Sequence, residues 1–388
     1  MLSVFWHFLV LGLYSFGGPA AHIGYFQRAF VEDKKWLTSS EFNQAVALCQ
    51  FLPGPASSQL GMFIGYKKGH YLGALAAFVG FTLPSFVLLT ILAVMSSSLS
   101  DSSWLDAVIQ AAKLLAVIVV ADALWGMGKK NITSKTTFFV CLLTAIWVYF
   151  SVGLLGQILP ILAAAAIGYA LSFVKKGQNE ATQLPTQLPT QLPKVKPNLV
   201  ILSCFCILLV GMPFIANILP IANIFNIFYQ AGSFVFGGGH VVLPLLQPMM
   251  DGLVEPDKFL TAYASAQLVP GPMFTMASYL GAAAYTASPI LGSLVATIAV
   301  FLPGALLLFA FLPAWEALFS HPRLQIAISL VNASVVGLLA SAFISPVITS
   351  SIHSIFDLIV VITGGILLKR YNLPIWGLAS LLVLYTLI

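Results

Sequence analysis

Two short stretches hold the residue types that could do chemistry in this chain. The first is Leu52-Pro53-Gly54-Pro55-Ala56, preceded by Gln50 and followed by Ser57, Ser58 and Gln59. The second, about 217 residues later, is Val269-Pro270-Gly271-Pro272, preceded by Gln267 and followed by Met273, Phe274 and Thr275. Proline lacks an N–H and clashes with the turn before it, so Pro-Gly-Pro ends a helix. A helix that restarts after such a break presents free backbone N–H groups and the positive end of its dipole. At the first break Ala56, Ser57 and Ser58 open the new helix. Their N–H groups, two hydroxyls and the Gln59 amide make a cradle for an anion. The second break has only Thr275 to offer, so the two cradles are not equivalent. A plain proline kink is the competing reading, and it leaves the paired repeat and the Ser-Ser-Gln run unexplained.

Two further breaks are built on glycine. Ser15-Phe16-Gly17-Gly18-Pro19 leads to His22, and Ser233-Phe234-Val235-Phe236-Gly237-Gly238-Gly239 leads to His240. These glycines let two backbones approach closely, around a substrate or in ordinary small-residue helix packing. His22 and His240 could relay protons near neutral pH. A hydrogen-bonded structural histidine is the alternative for each. Lys113 and Asp122 share one apolar segment but sit nine residues apart, half a revolution at 3.6 residues per turn, so they cannot pair with each other. A charge inside a bilayer is costly, so Lys113 is expected to face the protein interior or an aqueous path. Its counterpart 219 residues on is Asn332, also polar. Asp122 lies nearer the helix end. It is either a third proton-coupling candidate or a side chain that snorkels to the interface.

No nucleophile–base pair, phosphate loop or metal-ligand set is visible, so neither an enzyme nor a cofactor or metal site is expected. The cysteines Cys49, Cys141, Cys204 and Cys206 lie in apolar surroundings and read as small core residues. Helix starts, hydroxyls, amides, histidines and one lysine, without a ring of carboxylates, suit an anion better than a cation. A doubly charged oxyanion loses much hydration, so one lysine is insufficient and several aimed N–H donors are needed.

The elements that must position these groups are membrane helices. The 388 residues are 59% hydrophobic and only 7% charged, against about 25% charged in a soluble domain. No basic stretch stands ahead of the first apolar run, so no cleavable signal is expected. Apolar segments run at about 4–30 (broken at 15–19), 42–66, 71–96, 104–128, 136–150 and 155–174. Residues 175–197 are a linker holding Thr-Gln-Leu-Pro three times between Lys175, Lys176, Lys194 and Lys196. Proline at every fourth residue favours an extended chain. An odd helix at 199–217 follows, and then the first half's pattern returns. Gly292, Phe301, Leu302 and Pro303 match Gly73, Thr82, Leu83 and Pro84 at an offset of 219. The last helices are expected at about 288–313, 324–347, 354–369 and 373–387. The organisation is thus a first repeat (1–174), the linker (175–197), a connecting helix (198–220) and a second repeat (221–388).

Each half of a broken segment has roughly 12–15 residues, about 20 Å of helix, too short for a hydrocarbon core of about 30 Å. Four dip-and-return hairpins put fifteen of the 17 Lys and Arg on one side, which the positive-inside rule makes cytoplasmic. The odd helix then inverts the second repeat and places its acidic loop (Asp251, Glu255, Asp257) outside. A rival arrangement, in which the glycine-broken segments span and the repeats are parallel, segregates the charges less well. The expected fold is an all-α polytopic membrane protein of two homologous repeats of inverted topology. Each has two broken, re-entrant hairpins and four transmembrane helices, with one extra helix between the repeats. The N-terminus and linker are then cytoplasmic and the C-terminus periplasmic. A homodimer is left open, and no nucleic-acid partner is indicated.

The motif set resembles the chromate transporter family in its long, two-domain form. The matching residues are Ser15-Phe16-Gly17-Gly18-Pro19, His22, Gly24-Tyr25-Phe26, Ala47-Leu48-Cys49-Gln50, Leu52-Pro53-Gly54-Pro55, Ser57-Ser58-Gln59, Gly61, Ile64-Gly65, Ala77-Phe78 and Gly80-Phe81-Thr82-Leu83-Pro84. In the second half they are Phe236-Gly237-Gly238-Gly239, Pro244, Gln267 and Pro270-Gly271-Pro272. The resemblance implies export of chromate from the cytoplasm across the inner membrane, driven by the electrochemical gradient, with resistance to chromate as the result. Sulfate, the same shape and charge, is the implied competitor. The Thr-Gln-Leu-Pro linker departs from the family pattern. Outside the resemblance, a passive anion channel, a carrier of another oxyanion and a structural scaffold stay open. The residues expected to meet the anion are Gln50, Gly54, Ala56, Ser57, Ser58, Gln59, Lys113, Gln267, Gly271 and Thr275. The glycines Gly17, Gly18, Gly237, Gly238 and Gly239 complete that set.

Overall fold

The computed structural model describes residues 1–16, 18–98, 103–151, 153–174, 196–236, 239–314, 322–371 and 373–387. All regular structure among them is helical. In chain order the helices are α1 (Leu2–Tyr14), α2 (Gly18–Phe26), α3 (Ser39–Phe51), α4 (Ala56–Ser98), α5 (Ser103–Asn131), α6 (Lys135–Phe150) and α7 (Gly153–Val174). They continue with α8 (Leu199–Ala216), α9 (Pro220–Phe234), α10 (Val242–Met250), α11 (Pro256–Leu268), α12 (Met276–Ala284) and α13 (Pro289–Phe311). The last three are α14 (Pro322–Ala342), α15 (Ile355–Arg370) and α16 (Ile375–Leu387). Among the described residues, six helices are long and apolar enough to cross a membrane.

Local chemistry sets the starts. Thr38 caps α3 and Glu41 answers it, the reciprocal pair of a capping box. Ser134 with Thr137 does the same for α6, and Ser354 with Asp357 for α15. The last two boxes are 220 residues apart in sequence, so the repeat extends to capping. Proline opens α9, α11 and α13, where its missing N–H has no partner to lose.

The packing also repeats. α1 lies along α4 in the first half as α9 lies along α13 in the second. The last two helices of each half are exchanged. α6 and α7 pack on α14, while α15 and α16 pack on α5. The two halves therefore hold each other together rather than standing side by side.

Two details add to the sequence expectation. The stretch after α2 winds into a wider helical turn, Gln27–Asp33. The element expected at 324–347 is interrupted at Ser345, whose backbone is extended. α4 is two helices that meet at Gly69 and at His70, whose φ is +51, so the segments expected to part between 66 and 71 do part there, and the chain doubles back until Gly65 lies against the Gly73 carbonyl. The linker's Thr-Gln-Leu-Pro repeats and Gly17, Gly237 and Gly238 lie outside the described residues.

Candidate functional site

The two Pro-Gly-Pro turns have the same backbone and are each satisfied by the opposite half. Gly54 has φ +116 and Gly271 φ +108, a left-handed region open to glycine. The Gly54 N–H donates to the Val235 carbonyl (2.8 Å), just ahead of the second glycine break. The Gly271 N–H donates to the Ser15 carbonyl (2.9 Å), just ahead of the first. Their pro-Cβ directions are matched as well. A methyl on Gly54 would lie 2.9 Å from the Gly304 Cα, and one on Gly271 would lie 2.9 Å from the Ser85 Oγ. Gly304 follows Pro303 and Ser85 follows Pro84, the equivalent prolines of α13 and α4. Gly239 closes the circuit, because a methyl there would meet Met273 and the Phe274 ring. The Pro-Gly-Pro turns and the segments flanking both glycine breaks thus form one connected centre.

The chemistry around the two turns differs. α4 starts at Ala56, and the Gln59 N–H bonds to the Pro55 carbonyl (3.0 Å). The N–H groups of Ala56, Ser57 and Ser58 lie ahead of that first bond, as at any helix start. Ser57, Ser58 and Gln59 are buried, at 3%, 2% and 0% exposure. The Gln59 Nε2 donates to the Pro53 carbonyl (3.1 Å) and, across the halves, to the Gly304 carbonyl (3.0 Å). Its Oε1 and the Ser58 hydroxyl have no partner among the described residues. The same holds for the Ser15 and Thr82 hydroxyls and for the His22 Nδ1. A buried polar group without a partner costs free energy unless something else completes it.

At the second turn a 3-10 turn, Met273–Thr275, takes the place of the α-helical start. The Thr275 N–H and hydroxyl both bond to the Pro272 carbonyl (3.0 and 2.6 Å). Gly239, Met273 and Phe274 close over it with apolar atoms. Gln267 keeps an unpartnered, buried Nε2. Gln50, its counterpart, is exposed at the end of α3.

The charged candidates are already engaged. Lys113 is buried as expected, but its Nζ pairs with Asp257 Oδ1 (2.9 Å) at the start of α11 rather than standing free for an anion. Asp122 pairs with Lys369 (3.2 Å), both about half exposed. His240 Nδ1 is bonded to the Tyr263 hydroxyl (2.7 Å). His22 differs from both. Its Nε2 donates to the Ser15 carbonyl (3.2 Å), the one that also receives the Gly271 N–H. A carbonyl only accepts, so Nε2 carries the proton and Nδ1 is the open nitrogen. Among the described residues there is no metal-ligating cluster.

Sequence reasoning passed over Ser15, Thr82, Ser85 and Gly304 as site residues. Thr82 and Ser85 carried a signal, two hydroxyls flanking Leu83-Pro84 inside an apolar run. Gly304 and the Val235 carbonyl carried none, because their partners lie in the other half of the chain.

The model of the family "Chromate transporter" matches residues 2–169 and again 222–387. An uncharacterised transporter of Methanocaldococcus jannaschii is 27% identical, over 100% of this chain and 94% of its own length. A chromate transport protein of Cupriavidus metallidurans is 27% identical, over 94% of this chain and 86% of its own. A probable chromate transport protein of Synechococcus elongatus is 26% identical, over 87% and 82%. No solved structure matches the chain. With both halves matched in order around one centre of interlocked breaks, the chain belongs to the chromate transporter family.

Proposed function

We propose that this multi-pass membrane protein carries chromate, and exports it from the cytoplasm by alternating access. The observation that carries the reading is the first Pro-Gly-Pro turn, a buried helix start with unpartnered hydroxyls beside it. A tetrahedral dianion there accepts from the N–H groups of Ala56, Ser57 and Ser58 and from the Ser57 and Ser58 hydroxyls. Hydroxyls have the further advantage of turning to suit either a water or an oxyanion. Relatives over most of the chain's length are named chromate transport proteins, which favours chromate among oxyanions. Sulfate, of like geometry and charge, competes for the same donors. His22 is the best placed of the three proton-coupling candidates, since His240 and Asp122 have side-chain partners.

The topology we infer is two inverted repeats, 1–174 and 221–388, separated by the cytoplasmic linker and one connecting helix, in the inner membrane. Contacts between segment ends support re-entrant hairpins. Trp36, after α2, meets His7 in the first turns of α1 at 5.4 Å between rings. Lys67, at the far end of the first Pro-Gly-Pro hairpin, pairs with Glu41 at its near end (3.0 Å). Two cavities flank the hairpins. One of about 400 Å³ is lined by Glu41, Gln44 and Lys67 of the first. The other, about 330 Å³, is lined by Asp251, Pro256 and Phe259 around the second. Alternating access then opens one cavity at a time to the centre.

The test is chromate uptake into energised inside-out membrane vesicles, with and without excess sulfate and a protonophore. Saturable uptake that sulfate and the protonophore both inhibit is the expected result. Uptake that only equilibrates would identify a channel. No uptake by inserted protein would remove chromate as substrate and lead to a screen of other oxyanions.

A further inference from the structure

The outer face of the helix bundle holds a further, chemically different cavity. It lies between α5 and α15, measures about 510 Å³, and is apolar along its walls. Leu358 and Ile362 on its rim are exposed, so it opens to the lipid side. Asp122, Trp125 and Lys369 stand at one end.

The repeat explains why this slot exists. In the equivalent helix pair, α6 with α14, Gly337 sits directly on the Cys141 carbonyl and beside Thr144 and Ala145. The Thr144 and Ser334 hydroxyls there share a hydrogen bond (3.0 Å). Moved back 219 residues, Gly337 becomes Ile118, and Ala145 moved forward becomes Gly364. The Ile118 side chain rests on Gly364 and holds the helices apart. Thr363, in the place of Thr144, bonds instead to the Ile359 carbonyl of its own helix (2.8 Å). The next residue, Gly365, lines the slot, and a methyl there would meet nothing within 4 Å. A glycine inside a helix is unfavourable relative to alanine, and no neighbour's packing requires this one. Its effect is a bare, smooth wall.

The end of the slot is cationic. Lys369 Nζ and Lys129 Nζ lie 4.9 and 5.1 Å from the Trp125 ring. Lys130 and Arg370 adjoin them in the last turns of α5 and α15. Against these four cations the described residues set one carboxylate, Asp122 on Lys369.

We propose that the slot takes an acyl chain of an anionic phospholipid whose phosphate lies among Lys129, Lys369 and Arg370. Leu358 to Lys369 spans about 16 Å at 1.5 Å per residue, close to one leaflet's half of a core of about 30 Å. Clustered Lys and Arg at a helix end select an anionic headgroup over a zwitterionic one. A tryptophan beside them suits the interface level. A second copy of the chain fits less well. A two-fold contact on this face would set the cation cluster of one protomer against that of the other.

Native mass spectrometry of the detergent-purified full chain tests this, with phosphatidylglycerol and phosphatidylcholine of identical acyl chains added in turn. The expected result is selective retention of phosphatidylglycerol, with a matching rise in Tm. Lys369→Gln lowers that retention about fivefold, one surface cation's worth, and leaves phosphatidylcholine unchanged. Gly365→Leu fills the slot and lowers it about tenfold. Lys129→Gln with Lys369→Gln, both exposed, serves if Gly365→Leu does not fold. Equal retention of the two lipids, or unchanged phosphatidylglycerol in folded variants, overturns the proposal. So does a dimer that Gly365→Leu dissociates, which would give the slot to a second copy.

Discussion

The two Pro-Gly-Pro turns share a backbone and divide the chemistry. Both glycines occupy the left-handed region, and both donate an N–H to a carbonyl ahead of the other half's glycine break. Beyond the turn they part. The first continues into a helix start with Ser57, Ser58 and Gln59, and the second into a 3-10 turn sealed by Met273 and Phe274. A main-chain contact across the repeats constrains both copies equally, because either failing would orphan a carbonyl in the other half. Side chains after the turn carry no such obligation. Duplication therefore conserved the scaffold and left one centre polar.

The sharpest way to break this comparison is at the shared glycines. Gly54→Ala forces a left-handed φ on alanine and drives its methyl onto the Gly304 backbone, which cannot move aside. We expect chromate transport to fall about thirty- to a hundredfold while the protein still inserts, since two to three kcal/mol of strain is of that order. Gly271→Ala carries the same φ strain but meets only the Ser85 hydroxyl, a side chain. Adding Ser85→Ala relieves part of that loss, and no comparable second change is open to Gly54→Ala, because Gly304 is already bare. Vesicle uptake by the three variants reads this out. No rescue of Gly271→Ala by Ser85→Ala would mean that the turns differ less than the contacts imply.

The hydroxyls sharpen the difference in chemistry. Ser57→Ala with Ser58→Ala removes two donors from the proposed cradle and is expected to lower uptake more than about tenfold, at about 1.5 kcal/mol or more for each bond to a charged partner. Thr275→Ala removes a hydroxyl that already bonds the Pro272 carbonyl, so uptake should change less than about twofold. Normal uptake by the Ser57/Ser58 variant would remove the cradle, and loss in Thr275→Ala would make both turns binding sites.

The helices and the repeat were legible because apolar length and proline breaks are local signals. The helices expected at 104–128, 136–150 and 199–217 are observed at Ser103–Asn131, Lys135–Phe150 and Leu199–Ala216. The polar residues after the first turn were also visible, since Ser-Ser-Gln after Pro-Gly-Pro is a pattern within ten residues. What could not be read was pairing between halves. The Gln59 amide meets the Gly304 carbonyl 245 residues away, and nothing in either neighbourhood marks the other. Lys113 shows the same limit. Its burial followed from its position in an apolar helix, but its partner Asp257 stood in a loop assigned to solvent.

That pair gives a smaller test of the comparison, since each hairpin has an ion pair that ties its first helix to another segment. Asp257→Asn leaves the Lys113 ammonium buried and unpaired, 7% exposed. We expect a loss of about 1–3 kcal/mol in thermal unfolding, below the figure for a fully buried pair because Asp257 itself is half exposed. Glu41→Gln at the first hairpin breaks a pair exposed at both ends, 44% and 40%, and should cost under about 1 kcal/mol. Its signature is in pH. The Thr38 backbone N–H, with the Lys67 ammonium and the Thr38 hydroxyl, lowers the Glu41 pKa from 4.5 to about 2. A carboxylate held low in the folded state stabilises above its unfolded pKa and loses that contribution as pH falls through the folded one. The Tm gap between the native chain and Glu41→Gln should therefore be constant above about pH 5 and shrink towards zero near pH 2. A gap independent of pH would mean that Glu41 acts through packing alone, and that the first hairpin, unlike the second, is not held by charge.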